Sequence, residues 1–458
     1  MNEHATEHEV TRTGARKVLS ACFVGNVVEF YDFAVYGYTA AVIAALFFPA
    51  GNPTAALLST FALFAVAFFM RPVGGALFGN LGDKIGRRSV LAVVILMMGA
   101  STAAIGLLPT YQQIGILAPI LLTVCRLVQG LSAGGELSGA SSFAMEYAPR
   151  NRRGLWVASA TMGTVIAFGF AALTILALTT LMPEAYGVWG WRIPFLIGGV
   201  LALIGLYVRL RLNESPAFQS IAEDREVASV PVAELFREHK KKVGLMAALA
   251  AFNGLAFYII AVYFTTHMTE ILSISENTAL IATGVAMFLT SVIMVLSGFI
   301  SDRVGRKPLM YVSAAWLALT SIPAFLVVGS GSLAVAVAAY LMLTVGLGLY
   351  LAVFNISIVE AFPTNVRYSG ASISYNLGYM VFGGTAPFVA TFLVSRTGFN
   401  VSPGVYMAAA AVAVLLVLAL AVPETFRRTV RQGREPQRDK TAKSAALQSD
   451  THSESERV

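Results

Sequence analysis

The sequence predicts an all-α membrane protein, with twelve transmembrane helices in two pseudo-symmetric six-helix bundles, and three observations carry that prediction. Hydrophobic residues make up 57% of the 458, charged residues only 12%, and the mean hydropathy is +0.71, far from the make-up of soluble domains. The apolar residues gather in twelve stretches: 18–48, 55–78, 89–108, 114–145, 155–181, 193–210, 243–266, 278–300, 309–328, 332–361, 370–394 and 404–422. Most reach the roughly 20 residues that cross a bilayer core as a helix. A charged decapeptide occurs twice, as Gly79-Asn80-Leu81-Gly82-Asp83-Lys84-Ile85-Gly86-Arg87-Arg88 and Gly298-Phe299-Ile300-Ser301-Asp302-Arg303-Val304-Gly305-Arg306-Lys307. In the same order, Glu146, Pro149, Asn151 and Arg153 recur with identical spacing as Glu360, Pro363, Asn365 and Arg367. Two matches in register imply a duplicated unit.

Residues 1–17 are polar and form an N-terminal tail. The apolar stretch after them is too long for the core of a secretion signal, so it reads as a retained first helix. The first six stretches make one bundle, 18–210, and the last six make the second, 243–422. Between them, 211–242 is polar, carries Glu223-Asp224-Arg225-Glu226 and ends in Lys240-Lys241-Lys242, as a linker does. Residues 423–458 are charged and poor in large apolar side chains, which predicts a disordered tail. A β-barrel is excluded, because runs such as 408–422 do not alternate. Gly346 and Gly348 are expected to bend the tenth helix and Pro387 to kink the eleventh.

Lys and Arg collect on alternate connections: Lys84, Arg87 and Arg88, then Arg150, Arg152 and Arg153, the 209–242 loop, Arg303, Arg306 and Lys307, Arg367, and both tails. The other side holds Arg192 and Arg396. The positive-inside rule then places both termini in the cytoplasm, with the chain a multi-pass protein of the plasma or inner membrane. The net charge of +7 and the pI near 9.4 follow from this topology. They imply contact with the lipid bilayer and no nucleic acid. Cys22 and Cys125 fall in apolar stretches and are expected as free thiols. There is no His-Glu-x-x-His, Gly-x-Ser-x-Gly or Walker lysine loop, so the sequence argues against an enzyme and an ATP-driven pump. No metal site and no cofactor are expected.

Ionisable residues inside a span are costly, which makes each one a functional candidate. Glu29, Asp32, Arg71, Arg126 and Glu136 qualify. Glu29, Asp32 and Tyr36 recur at helical spacing along one face, predicted to line a central cavity. Glu29 and Asp32 are the candidates for carrying a proton; either can fill the role. Histidine offers no alternative, since His267 is placed at the outer end of the seventh helix. Arg126 presents a planar fork of donors suited to a carboxylate, although a permanent ion pair that sets helix packing would use the same residue. Arg71, near a helix end, and Glu136, beside Gly134-Gly135, are weaker candidates. In the second half the polar set is uncharged: Asn253, Tyr258, Asn355, Tyr375, Asn376 and Tyr379, with Tyr350 nearby. Together with Tyr36, Arg126 and Gln129 these are the predicted substrate-binding residues.

The repeated charged loops resemble those of the major facilitator superfamily. Further stretches narrow the resemblance: Gly25-Asn26-Val27-Val28-Glu29-Phe30-Tyr31-Asp32-Phe33, Arg71-Pro72-Val73-Gly74-Gly75, residues 126–136 (Arg-Leu-Val-Gln-Gly-Leu-Ser-Ala-Gly-Gly-Glu) and Trp189-Gly190-Trp191-Arg192-Ile193-Pro194-Phe195. Together they resemble the metabolite:proton symporters. The resemblance implies the major facilitator fold and proton-driven uptake, without a cofactor, of a small organic acid or a zwitterion such as proline or betaine. An uncoupled facilitator of the same solutes is the alternative, and a monomer is the expected state. For the repeated loops, physics predicts a cytoplasmic gate. Asp83 would cap the eleventh helix just after Arg367, and Asp302 the fifth just after Arg153, each facing the positive end of a helix dipole. Arg87 with Glu146, and Arg306 with Glu360, would add ion pairs. Glycine turns that serve topology alone would carry the same sequence.

Overall fold

A computed structural model of the chain describes residues 12–48, 51–85, 87–149, 151–210, 232–363, 366–422 and 424. Lipid cannot satisfy backbone polar groups, so a spanning segment closes its hydrogen bonds within itself; the described residues form helices and no strand. Eight helices are long and apolar enough to cross a membrane, two further crossings are bent pairs, and two are shorter apolar helices.

In order, α1 is Arg12–Tyr38 continued by Ala40–Phe47, α2 is Pro53–Ile85, and α3 is Arg87–Leu107. Leu117–Ser132, a 3-10 turn at Ala133–Gly135 and Glu136–Glu146 make α4; α5 is Arg153–Leu181; α6 is Pro183–Gly190 and Arg192–Leu210. In the second half, α7 begins at Val232 and reaches Ile271 through π-helical turns at Ile259–Tyr263 and His267–Ile271. Then follow α8, Glu276–Val304; α9, Arg306–Val327; α10, Leu333–Glu360; α11, Arg367–Thr397, with a π-turn at Tyr379–Gly383; and α12, Ser402–Leu420.

Local signals start these helices. Asn52 Oδ1 accepts the N–H groups of Thr54 and Ala55 at 2.9 and 3.3 Å, with Pro53 at the first helical position of α2. Ser275 and Ser332 cap α8 and α10 in the same way. The sharp bends of 61° in α1 and 63° in α6 fall at Thr39 and Trp191.

Two expectations change. The linker is shorter than 211–242, because α7 starts at Val232 and runs through the three lysines: Leu235, Val243, Met246 and Leu249 share a buried face. Its remainder, 211–231, lies outside the described residues, as do 1–11 of the N-terminal tail. Gly346 and Gly348 have a packing role in α10. They sit in an unbroken helix where a Cβ would lie 2.6 Å from Leu317 Cγ of α9 and 2.8 Å from Ile293 Cγ2 of α8, so they permit close packing. The break in α11 is its π-turn, and Pro387 follows at the start of the next helical stretch, where its missing N–H costs nothing. His267 opens the last π-turn of α7, near the helix end where the sequence places it, and is fully buried there against Phe264 and Phe325, with Tyr263 Oη 3.4 Å from its Nδ1.

The halves meet along α5 with α8 and along α2 with α11. Gly154 and Gly298 let α5 and α8 touch backbone to backbone, a Cβ on Gly298 falling 2.6 Å from Gly154 O. These contacts enclose the middle of the molecule, where the charged residues lie.

Candidate functional site

On α1, Glu29 and Asp32 are both buried, and each has a different partner. Glu29 Oε1 lies 4.0 Å from Arg71 Nη2 of α2, with both side chains 1% exposed. Asp32 receives the Thr102 hydroxyl of α3 at 2.5 Å. Thr102 Oγ1 in turn accepts from Gln129 Nε2 at 2.7 Å, and Gln129 Oε1 accepts from Arg126 Nη1 at 2.9 Å. A continuous hydrogen-bonded chain therefore runs from the Arg126 guanidinium to the Asp32 carboxylate, every donor pointing toward the acid. Gly198 of α6 makes room for that acid, since a Cβ there would stand 2.7 Å from Asp32 Oδ1.

Both guanidiniums rest on aromatic faces. Arg71 Cζ lies 4.6 and 4.5 Å from the ring centroids of Phe33 and Phe68, and Arg126 Cζ lies 3.7 Å from that of Tyr36 and 5.7 Å from that of Phe33. Tyr36 Oη donates to Thr60 O, tying α1 to α2. From the second half, Tyr258 closes this aromatic floor edge-on to Phe64 and Phe68, at 5.3 and 5.1 Å.

The other predicted binding residues lie on α7, α10 and α11. Asn253 Nδ2 donates to Tyr379 Oη at 2.7 Å, and Tyr379 stacks on Tyr375 with centroids 4.0 Å apart. Asn355, Tyr375 and Tyr379 line a small cavity that Thr161, Thr164 and Phe257 complete. Asn376 faces elsewhere: its Nδ2 donates to Gly134 O of α4, a bond between the halves. Tyr350 is a packing residue whose hydroxyl donates to Leu249 O.

At the end of the molecule that carries the repeated motifs, Asp302 caps α5. Its two carboxylate oxygens accept the N–H groups of Gly154 and Leu155 at 2.8 and 2.9 Å, and Arg306 Nη1 donates to it at 2.9 Å. Arg306 also forks onto Glu360, at 3.3 and 3.2 Å. Between the halves, Arg367 of α11 stands 4.0 Å from Glu146 of α4. The side chains of Asp83, Arg87 and Glu136 lie outside the described residues. Arg153 opens α5 but makes no ion pair among the described residues. Contrary to the expected onset of disorder at 423, Glu424 is held in place: its carboxylate accepts the N–H groups of Arg306 and Lys307 at 3.1 and 3.0 Å, capping α9 beside Gly305 at φ 105°. Most of the tail, from 425 to 458, lies outside the described residues.

The family model of the Major Facilitator Superfamily matches residues 22–384 and 246–451. The chain belongs to the major facilitator superfamily. It is 39% identical over 424 residues to the inner membrane metabolite transport protein YhjE of Escherichia coli (strain K12), covering 90% of this chain and 96% of that one. It is also 35% identical over 426 residues to the proline/betaine transporter of the same strain, covering 91% and 85%. Among solved structures, the proton:xylose symporter XylE bound to 6-bromo-6-deoxy-D-glucose superposes with a TM-score of 0.73 at 18% identity, over 90% of this chain and 96% of that one. This superfamily member is thus a multi-pass membrane transporter and not an enzyme.

One central residue, Thr102, escapes the sequence reading, and a second, Arg71, is ranked too low by it. Thr102 is one of many hydroxyls in apolar helices, which ordinarily bond the carbonyl four residues back, and Thr102 does so too, to Met98 O at 2.9 Å. Arg71 looks like a residue near a helix end; α2 runs on to Ile85, which leaves Arg71 deep in the bundle.

Proposed function

We propose that this transporter is a proton-coupled symporter that takes up a small organic acid or zwitterionic metabolite by alternating access. The chain from Arg126 through Gln129 and Thr102 to Asp32 carries the reading. As arranged, its donors serve an ionised Asp32. A proton on Asp32 removes the charge at the end of the chain; the Thr102 hydroxyl then turns to its second acceptor, Met98 O. Arg126 loses the polarised path to its counter-charge and becomes available to a substrate carboxylate. Protonation thereby favours substrate binding, and the two loads cross together because each stabilises the same state.

The relatives named for proline and betaine transport, and the fold shared with a proton:xylose symporter, support this reading. No cofactor is required, because the proton gradient supplies the work, and the monomer contains every group used. Positive-inside topology puts both termini and the Asp302 contacts on the cytoplasmic face. With those contacts made, that face is closed; the Gly154, Leu155 and Glu360 contacts of the Asp302–Arg306 pair must part for inward release.

The test is uptake into proteoliposomes under an imposed pH gradient. Asp32→Asn, which cannot cycle a proton, is expected to lose accumulation against a gradient while keeping solute exchange. Full uphill accumulation by this variant removes Asp32 from coupling; uptake by the parent protein that only equilibrates the solute, whatever the pH gradient, makes it a facilitator.

A further inference from the structure

The two buried arginines carry more donors than the described residues use. Arg71 Nε, Nη1 and Nη2, and Arg126 Nε and Nη2, have no hydrogen-bond partner among the described residues, although both side chains are 1% exposed. An unsatisfied guanidinium nitrogen at that depth is costly. Both guanidiniums stand over the same Phe33 ring, at 4.6 and 5.7 Å from its centroid, so no more than the sum of those distances separates them.

We infer that Arg71 and Arg126 form a two-armed carboxylate seat, and that the carried solute is a net anion, a monocarboxylic acid in its ionised form. This inference rests on the symport reading for the protonation of Asp32. Charge then decides between anion and zwitterion. Among the described side chains of the cluster, two positive charges face Glu29 and Asp32; once Asp32 holds its proton, one positive charge remains uncompensated, matching one carboxylate. A zwitterion brings no net charge, and its ammonium needs an acid or an aromatic face. Glu29 already faces Arg71, and the Phe33, Phe68 and Tyr36 faces already hold guanidiniums. The proton and the monoanion together move no net charge.

Titration calorimetry on the purified full chain in detergent tests this, with lactate, shikimate and benzoate as monocarboxylate probes and glycine betaine and proline as zwitterions. At least one monocarboxylate is expected to bind, more tightly as the pH falls, with neither zwitterion competing. Arg71→Gln and Arg126→Gln are each expected to weaken it at least tenfold. Glu29→Gln separates the two chemistries by sign: removing the acid beside Arg71 strengthens an anion's binding severalfold and abolishes a zwitterion's. Should Arg71→Gln not fold, the Glu29→Gln arm still decides. Binding of a zwitterion that Glu29→Gln abolishes overturns the inference. So does anion binding indifferent to Arg71→Gln, or the absence of binding by all three monocarboxylates. Uptake in vesicles keeps the two claims apart. Proton-driven uptake of a zwitterion sinks the seat and leaves symport standing. Anion binding without proton-driven uptake does the reverse.

Discussion

Replacing Asp302 by Asn removes a charge and one strong acceptor from the closed end while keeping size and shape. The aspartate accepts two backbone N–H bonds at the start of α5 and a third bond from Arg306, all between 2.8 and 2.9 Å. Hydrogen bonds to a charged partner contribute about 1.5–3 kcal/mol and neutral ones about 0.5–1.5 kcal/mol, and a carboxylate at a helix N-terminus adds about 0.3–2 kcal/mol. The asparagine oxygen can still accept one amide, and Arg306 retains Glu360. The net loss is about 2 kcal/mol of closed-state stability, which shifts the closed-to-open ratio by about 30-fold. None of these contacts touches the central arginines, so intrinsic solute affinity is unchanged once the population shift is allowed for.

The assay is the rate at which a water-soluble maleimide labels a cysteine at Ser357, buried on α10 near the motif-bearing end. Cys22 and Cys125, both half-buried and neither in a disulfide, are first replaced by serine. If opening precedes labelling, the rate rises in proportion to the open population, to about 30-fold while that population stays small. A labelling rate equal to that of the parent protein, in a variant that transports normally, means that the Asp302 contacts do not hold the end closed and that the motif serves topology alone.

Two further outcomes are expected. Gly154→Ala should open the same end with every hydrogen-bonding side chain intact, because the added Cβ would stand 2.5 Å from Ser301 Oγ and 2.6 Å from Gly298 O; unchanged labelling of the Ser357 cysteine would show that α5 and α8 can part without consequence. Arg126→Lys keeps the charge but loses the fork that reaches Gln129 and a carboxylate together, so solute affinity should fall about tenfold, the worth of one charged hydrogen bond; undiminished affinity in binding measurements would remove Arg126 from the seat.

How far the sequence was readable depends on the range of the interactions. The twelve crossings were legible, since spanning hydrocarbon demands an apolar run of fixed length and nothing else in the chain supplies one. The start of α7 was not, because its buried residues Leu235, Val243 and Met246 are interleaved with Lys240, Lys241 and Lys242, and the snorkelling lysines hide the apolar face. Asp302 at α5 was legible because the motif repeats and a helix start has a general appetite for carboxylate. Glu424 at α9 has the same chemistry but no repeat to announce it. At the centre, residue types revealed that charge is buried, whereas the pairing of Arg71 with Glu29, and of Asp32 with Thr102, depends on helix rotation that periodicity leaves free.

The two ends of the molecule close by different physics, and this accounts for the motif occurring at one end only. At the basic end, long helices meet through amide caps and ion pairs, which are strong at contact and break cleanly as groups rehydrate. Toward the other end, contact between the halves is made by small residues against apolar ones: a Cβ on Gly37 would lie 2.7 Å from Val262 Cγ1, and one on Gly384 would lie 2.6 Å from Phe68 Cγ. These contacts cluster at the irregular turns of the helices, since Val262 sits in the first π-turn of α7 and Gly384 directly follows that of α11. A π-turn frees a carbonyl from its regular partner, so such a segment can change its winding at low cost. Charge substitutions should therefore act on the basic end and bulk substitutions on the other. Asn376, bonded to Gly134 O at the 3-10 turn of α4, lies between them and joins the two halves at mid-depth whichever end is open only if α4 and α11 turn as one.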